Sequence, residues 1–157
     1  MDNFHNNNSK DTILVVCHAN YCRSPVAEIL LENFLGDTFY VMSAGIKPYQ
    51  SASMDPRSIN FLIDKNIKPK IHNTKACSRD IIIKSKYIFC FSESIRNHLT
   101  EKYINYKSKF RLINTYDKSL DVSDPFKFKD KEYNIVMNNI FETCKILASN
   151  LLQQDYE

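Results

Sequence analysis

The 157-residue chain is 43% hydrophobic and 25% charged, the balance of a globular protein and not of a disordered one. Its 21 basic residues against 18 acidic ones leave +3, which points to neither a nucleic-acid nor a membrane partner. No apolar run approaches the ~18 residues of a membrane span, and a chain of this length forms one domain with a core that needs no disulfide staples.

Residues 1–10 (MDNFHNNNSK) read as a mobile polar tail without the apolar core of a signal peptide, ahead of a single domain over 11–157. Residues 12–16 (TILVV) form a continuous β-branched run, the pattern of a strand buried on both faces. Residues 25–34 read as a helix with Val26, Ile29, Leu30 and Leu31 on its apolar face, Ser24 as N-cap and Pro25 at the tolerated first position. A second strand is expected over 39–43. A helix follows over 56–65, capped by Asp55, with Ile59, Leu62 and Ile63 facing inward.

Residues 78–85 suggest a short helix, 87–91 (YIFCF) a buried strand, 93–102 a helix and 110–113 a fourth strand. Residues 114–130 show no period, contain Asp124-Pro125 and read as a long loop, of the kind that often carries function. The last helix is expected over 131–152, with Tyr133, Val136, Met137, Ile140, Cys144, Leu147, Ala148 and Leu151 as its buried stripe.

This alternation predicts an α/β domain with a parallel sheet covered on both faces. Ligands in such sheets bind at the carboxyl ends of strands. The first strand is expected to end at Val16, so the chemistry is expected from Cys17 onward. Two glycines in the whole chain exclude Gly-rich nucleotide loops. Five cysteines, an odd number, favour a reducing compartment and thiol chemistry over structural disulfides.

The loop reads Cys17-His18-Ala19-Asn20-Tyr21-Cys22-Arg23-Ser24-Pro25. A cysteine at a strand's carboxyl end, six residues before an arginine that opens a helix, can sit in a ring of backbone N–H groups that holds an anion. Such a positive potential favours the thiolate, the nucleophilic form of a cysteine. Arg23 adds a planar fork that matches two oxygens of a tetrahedral oxyanion, and Ser24 can donate to the cysteine sulfur. The plainer reading of the same residues is a strand–helix turn with a buried cysteine and a surface arginine.

Val16-Cys17-x-x-Asn20-x-Cys22-Arg23-Ser24-Pro25 resembles the phosphate-binding loop of the low-molecular-weight protein tyrosine phosphatases. Ser43-Ala44-Gly45, Asp55-Pro56-Arg57, His72 and Asp124-Pro125 follow in the order of that family. The resemblance implies a four-stranded parallel sheet with helices on both faces and a phosphate-binding loop after the first strand. It implies hydrolysis of phosphotyrosine in proteins, without metal or other cofactor, with phosphate or other oxyanions held in the loop; the reducing compartment favoured by the cysteines makes the cytoplasm the expected location.

By the same resemblance Cys17 is the nucleophile that forms a phosphocysteine. Arg23 binds the phosphate, and Asp124 is the general acid and then the base for water. The remaining loop residues His18, Ala19, Asn20, Tyr21, Cys22 and Ser24 meet the substrate, Tyr49 and Phe126 wall its ring, and Ser43 and His72 brace the loop, as Asn20 also does. The chain departs from the pattern at Ala19, where the family usually has glycine, and at Phe126, where a tyrosine is usual. It also has no tryptophan for the loop after Ser43.

Several residues admit two readings. Spacing does not separate Asp55 from Asp124, though Asp55 precedes a clear helix and Asp124 does not. Cys22 is either filler or the partner of Cys17 in a protective disulfide. His18 lines the pocket mouth or is a solvated loop residue. A zinc site is a poor fit, since Cys17-x4-Cys22 has no second pair. Cys90 and Cys144 read as core and Cys77 as an exposed loop residue; Lys84, Lys86, Lys102, Lys107 and Lys109 read as solvated. The rival functions are a thiol-dependent arsenate reductase relaying through Cys77 and Cys90, and an inactive phosphate-binding module.

Overall fold

The β-branched run forms β1 (Asp11–Cys17), in which Ile13, Leu14, Val15 and Val16 are all fully buried. Neighbouring side chains on a strand point to opposite faces, so both faces of β1 are covered. The computed structural model describes residues 10–117 and 122–154; apart from Lys10, the expected tail lies outside the described residues. Helix α1 (Arg23–Leu35) returns the chain to β2 (Phe39–Gly45), followed by α2 (Pro56–Asp64), α3 (Arg79–Lys84), β3 (Tyr87–Cys90), α4 (Glu93–Lys102), β4 (Phe110–Leu112) and α5 (Asp130–Gln154).

The strands are all parallel, in the order β2-β1-β3-β4. The chain leaves β1 toward one side for β2 and then crosses to the other side for β3. The carboxyl end of β1 therefore lies at the switch in strand order, where an open α/β sheet leaves a crevice. Cys17 is the last residue of β1, paired with Gly45. Helices α1, α2 and α5 pack against one another, α4 packs on β3 and β4, and α3 packs on β1. Every residue of the expected α5 stripe, from Tyr133 to Leu151, is buried. Among the described residues no helix is long and apolar enough to cross a membrane.

Four local expectations are corrected. Helix α1 starts at Arg23, so the cap position falls to Cys22, which makes no side-chain cap; the Ser24 hydroxyl is drawn inward to Cys17 instead. In α2 the buried stripe is Ser58, Phe61 and Leu62, while Ile59 is half-buried and Ile63 is exposed. On that buried side the Ser58 and Tyr133 hydroxyls share a hydrogen bond. Cys77 is buried because residues 75–77 add a bridge alongside the end of β2, with Cys77 N–H donating to Gly45 O at 2.9 Å. Lys109 is not free in solvent: its Nζ donates to the carbonyls of Ile82, Ile83 and Ser85 at 2.9–3.0 Å, closing the carboxyl end of α3. The Asp55 cap is as expected, accepting from Arg57 N–H at 2.9 Å.

Candidate active site

Between Cys17 and Cys22 the chain makes a tight bowl whose carbonyls all bond outward. Cys17 O accepts from Ile46 N–H (3.1 Å), His18 O from Lys47 N–H (2.8 Å), Ala19 O from Tyr49 N–H (3.3 Å) and Tyr21 O from Asp55 N–H (3.0 Å). Asn20 O accepts from His72 Nε2–H at 2.9 Å and Cys22 O from the Ser58 hydroxyl at 3.1 Å. Across a planar trans peptide, the N–H that follows each carbonyl points the opposite way. The amides of His18 through Arg23 are thereby turned toward the inside of the bowl, an arrangement that cups an anion.

Asn20 makes the turn possible. It is fully buried in the left-handed region at φ 55°, a conformation asparagine tolerates better than most residues. Its Nδ2 donates to Ser24 Oγ (2.8 Å) and Ser43 Oγ (3.0 Å), and its Oδ1 accepts from Lys75 N–H (3.0 Å). Ser24 Oγ lies 2.9 Å from Cys17 Sγ. Asn20, Ser24, Ser43 and His72 thus sit behind the loop, not in the hollow. The carbonyl at Asn20 can only accept, so His72 carries its proton on Nε2. Burial lowers the His72 pKa against the opposing pull of that hydrogen bond.

The hollow is lined by Cys17, His18, Ala19, Tyr21, Cys22, Arg23, Tyr49, Asp124 and Phe126. Cys17 is 2% exposed, at its floor. Arg23 reaches in from the first position of α1, its Nη1 donating to Val122 O at 3.0 Å and its Nη2 lying 3.8 Å from Asp124 Oδ2. Asp124 stands at the mouth with a half-exposed side chain, and its Oδ1 accepts from Phe126 N–H at 3.2 Å. It therefore makes a turn and also faces the hollow, whereas Asp55 is bound up with Arg57. The rings of Tyr21, Tyr49 and Phe126 meet edge-on around the rim, with centroids 5.1–6.1 Å apart.

A sequence profile of the family described as low molecular weight phosphotyrosine protein phosphatase matches residues 12–156. The chain belongs to that family. It is 28% identical over 145 residues to the low molecular weight phosphotyrosine protein phosphatase of Rattus norvegicus, covering 85% of this chain and 91% of the relative. The YwlE arginine phosphatase from Geobacillus stearothermophilus shares its fold with a TM-score of 0.87 at 23% identity, over 93% of this chain and 96% of the other. The tyrosine phosphatase Wzb from Escherichia coli K30, solved in complex with sulphate, gives 0.84 at 22% identity, over 90% and 99%.

In this low-molecular-weight phosphatase, Ala19 in place of glycine needs no left-handed backbone, because the positive φ falls on Asn20. Cys22 donates to Asp55 Oδ2 at 3.7 Å, and burial pushes its thiol up to about 12. Burial likewise pushes Cys77 up to about 11 and raises the fully buried Cys90.

Two contributors were given no role in the sequence reading, although Gly45 stands in the Ser43-Ala44-Gly45 segment of the resemblance. Gly45 lies directly beneath the loop: a Cβ there would fall 2.8 Å from Asn20 N and from His18 O. Its signal was available, since it is one of two glycines in the chain. The Val122 carbonyl that holds Arg23 had no side-chain signal at all.

Proposed function

We propose that this family member hydrolyses phosphotyrosine esters in proteins through a phosphocysteine. The observation that carries the reading is the outward bonding of every carbonyl from Cys17 to Cys22, which aims the intervening amides at an anion seated over the sulfur. The non-bridging phosphate oxygens meet those amides and the Arg23 guanidinium, and the Cys17 thiolate attacks phosphorus. The S–P bond forms as the P–O bond to the phenol breaks, and Asp124 gives its proton to the departing oxygen. Water then attacks the phosphocysteine, Asp124 takes a proton from it, and phosphate leaves as the thiolate returns.

The aromatic rim of Tyr21, Tyr49 and Phe126 supports an aryl ester as substrate. Cys77 and Cys90 do not line the hollow that Cys17 and Cys22 share, which disfavours an arsenate reductase relay through them. In a reducing cytoplasm Cys22 serves as a resolving thiol: once an oxidant has made Cys17 a sulfenic acid, Cys22 condenses with it, forming the S–S bond and releasing water.

The deciding experiment measures turnover of p-nitrophenyl phosphate, a phosphotyrosine peptide and a phosphoarginine peptide under reducing conditions, with Cys17→Ser as control. Turnover of the two aryl esters, lost in the control, is expected. Preference for phosphoarginine would refute the ester class, and no turnover of any of the three would favour the inactive binding module.

A further inference from the structure

We propose that Arg57 is the positioning residue for the proton donor, holding the Asp124 loop in register with the phosphate-binding loop; this rests on the phosphatase reading above. Arg57 does not line the hollow and touches no reacting group. Its guanidinium nevertheless spends its donors on the far side of the site. Nη1 donates to Phe128 O at 2.6 Å and Nη2 to Phe126 O at 3.0 Å, 71 and 69 residues away in sequence. Both carbonyls belong to the segment that follows Asp124. The backbone of Phe126 is held on both sides of its Cα, its N–H by Asp124 Oδ1 and its carbonyl by Arg57.

The grip is stiff because Arg57 is itself held. Its Nε and Nη2 donate to the two oxygens of Asp55 at 3.1 and 2.9 Å, and its guanidinium lies over the Tyr133 ring, 4.0 Å from the centroid. Asp55 in turn touches the nucleophile's loop, donating its N–H to Tyr21 O and accepting from Cys22. One ion pair therefore joins the loop that carries the nucleophile to the loop that carries the acid. A proton donor has to sit within hydrogen-bond reach of the leaving oxygen, so a loop displaced by an ångström removes its contribution. Only a planar fork can pair bidentately with a carboxylate while two of its N–H groups reach separate carbonyls, so lysine is not an equivalent.

A misplaced acid harms esters with poor leaving groups and spares those whose leaving group needs no proton. A merely structural defect slows both alike. The test compares kcat/KM, which reports the steps through leaving-group departure, for phenyl phosphate and dinitrophenyl phosphate in wild type, Arg57→Met and Arg57→Lys. The same substitutions are then repeated in Asp124→Ala.

For Arg57→Met the phenyl ester is expected to slow by about 10- to 100-fold, a partial loss of the roughly 100- to 10,000-fold a general acid contributes, and the dinitrophenyl ester by less than about 3-fold. Arg57→Lys should show the same selective loss, smaller in size, and is decisive wherever the Met variant fails to fold by circular dichroism. With Asp124 already removed, either substitution should cost less than about 2-fold. Equal slowing of both esters, or a full further loss in Asp124→Ala, would overturn the role of Arg57 while leaving the phosphatase reading intact. Failure of the unmodified protein to turn over either ester would overturn both.

Discussion

Gly45→Ala adds one methyl group beneath the loop, and the structure says where that methyl goes. The new Cβ falls 2.8 Å from Asn20 N, 2.8 Å from His18 O and 2.9 Å from Ala19 C. These are backbone atoms of the bowl, with no rotamer to swing aside. An ordinary contact needs about 3.5 Å, so something must give by about 0.7 Å. The strand is poorly able to retreat: Gly45 N–H donates to Lys75 O and Gly45 O accepts from Cys77 N–H, both at 2.9 Å, and the residue pairs with Cys17 on its other side.

The loop therefore moves, carrying its amides away from the position of the phosphate. Overpacking of this kind costs about 1–3 kcal/mol of stability, or a fall in Tm of about 3–10 °C for a chain of this size. Misplacement near one ångström costs about 100-fold in rate. The expected result is a 10- to 100-fold loss of kcat/KM for p-nitrophenyl phosphate, order-of-magnitude figures on the same ground. Inhibition by inorganic phosphate should weaken in parallel, in a protein that still melts cooperatively. Wild-type kcat/KM with unchanged phosphate inhibition would refute the claim that this close approach sets the bowl.

Asn20→Ala removes the bonds to Ser24, Ser43 and Lys75 and places alanine at a left-handed φ. Leaving those buried partners unpaired should cost about 3 kcal/mol in urea unfolding, and a cost below about 1 kcal/mol would show that the network does not hold the loop. His72 is more reluctant to accept a proton when folded, so its stabilisation is complete above its ordinary pKa of 6.5 and is lost as pH falls below that value. His72→Gln should flatten the part of the Tm–pH curve just below 6.5, and parallel curves would exclude His72 as the titrating group. Lys109→Met strips the cap from the α3 carbonyls and should lower stability by about 1 kcal/mol without changing kcat/KM, since Lys109 lies outside the hollow. A loss of activity with unchanged stability would contradict that placement.

The order of strands and helices, the stripe from Tyr133 to Leu151 and the position of Cys17 at a strand's end were all legible before any coordinates. Periodicity is local, and residues a few positions apart report it directly. The sequence also presented Cys17, Arg23 and Asp124 as a chemical set, through a family resemblance that the matching profile supports. The rotation of α2, which exposes Ile63, was not legible, because it depends on which side of α2 packs against α1 and α5.

Nor was the inward turn of Ser24, which depends on a sulfur and an asparagine brought together by the bend of the loop. The contacts that complete the site join residues far apart in the chain: Arg23 to Val122, Gly45 beneath Asn20, Arg57 to Phe128. Several of their partners are backbone atoms, which every residue carries alike and which leave no mark in the composition. Sequence alone determined which reactive groups are present and on which elements they ride. Packing decided their distances, because only the assembled sheet and its covering helices bring those elements within reach of one another.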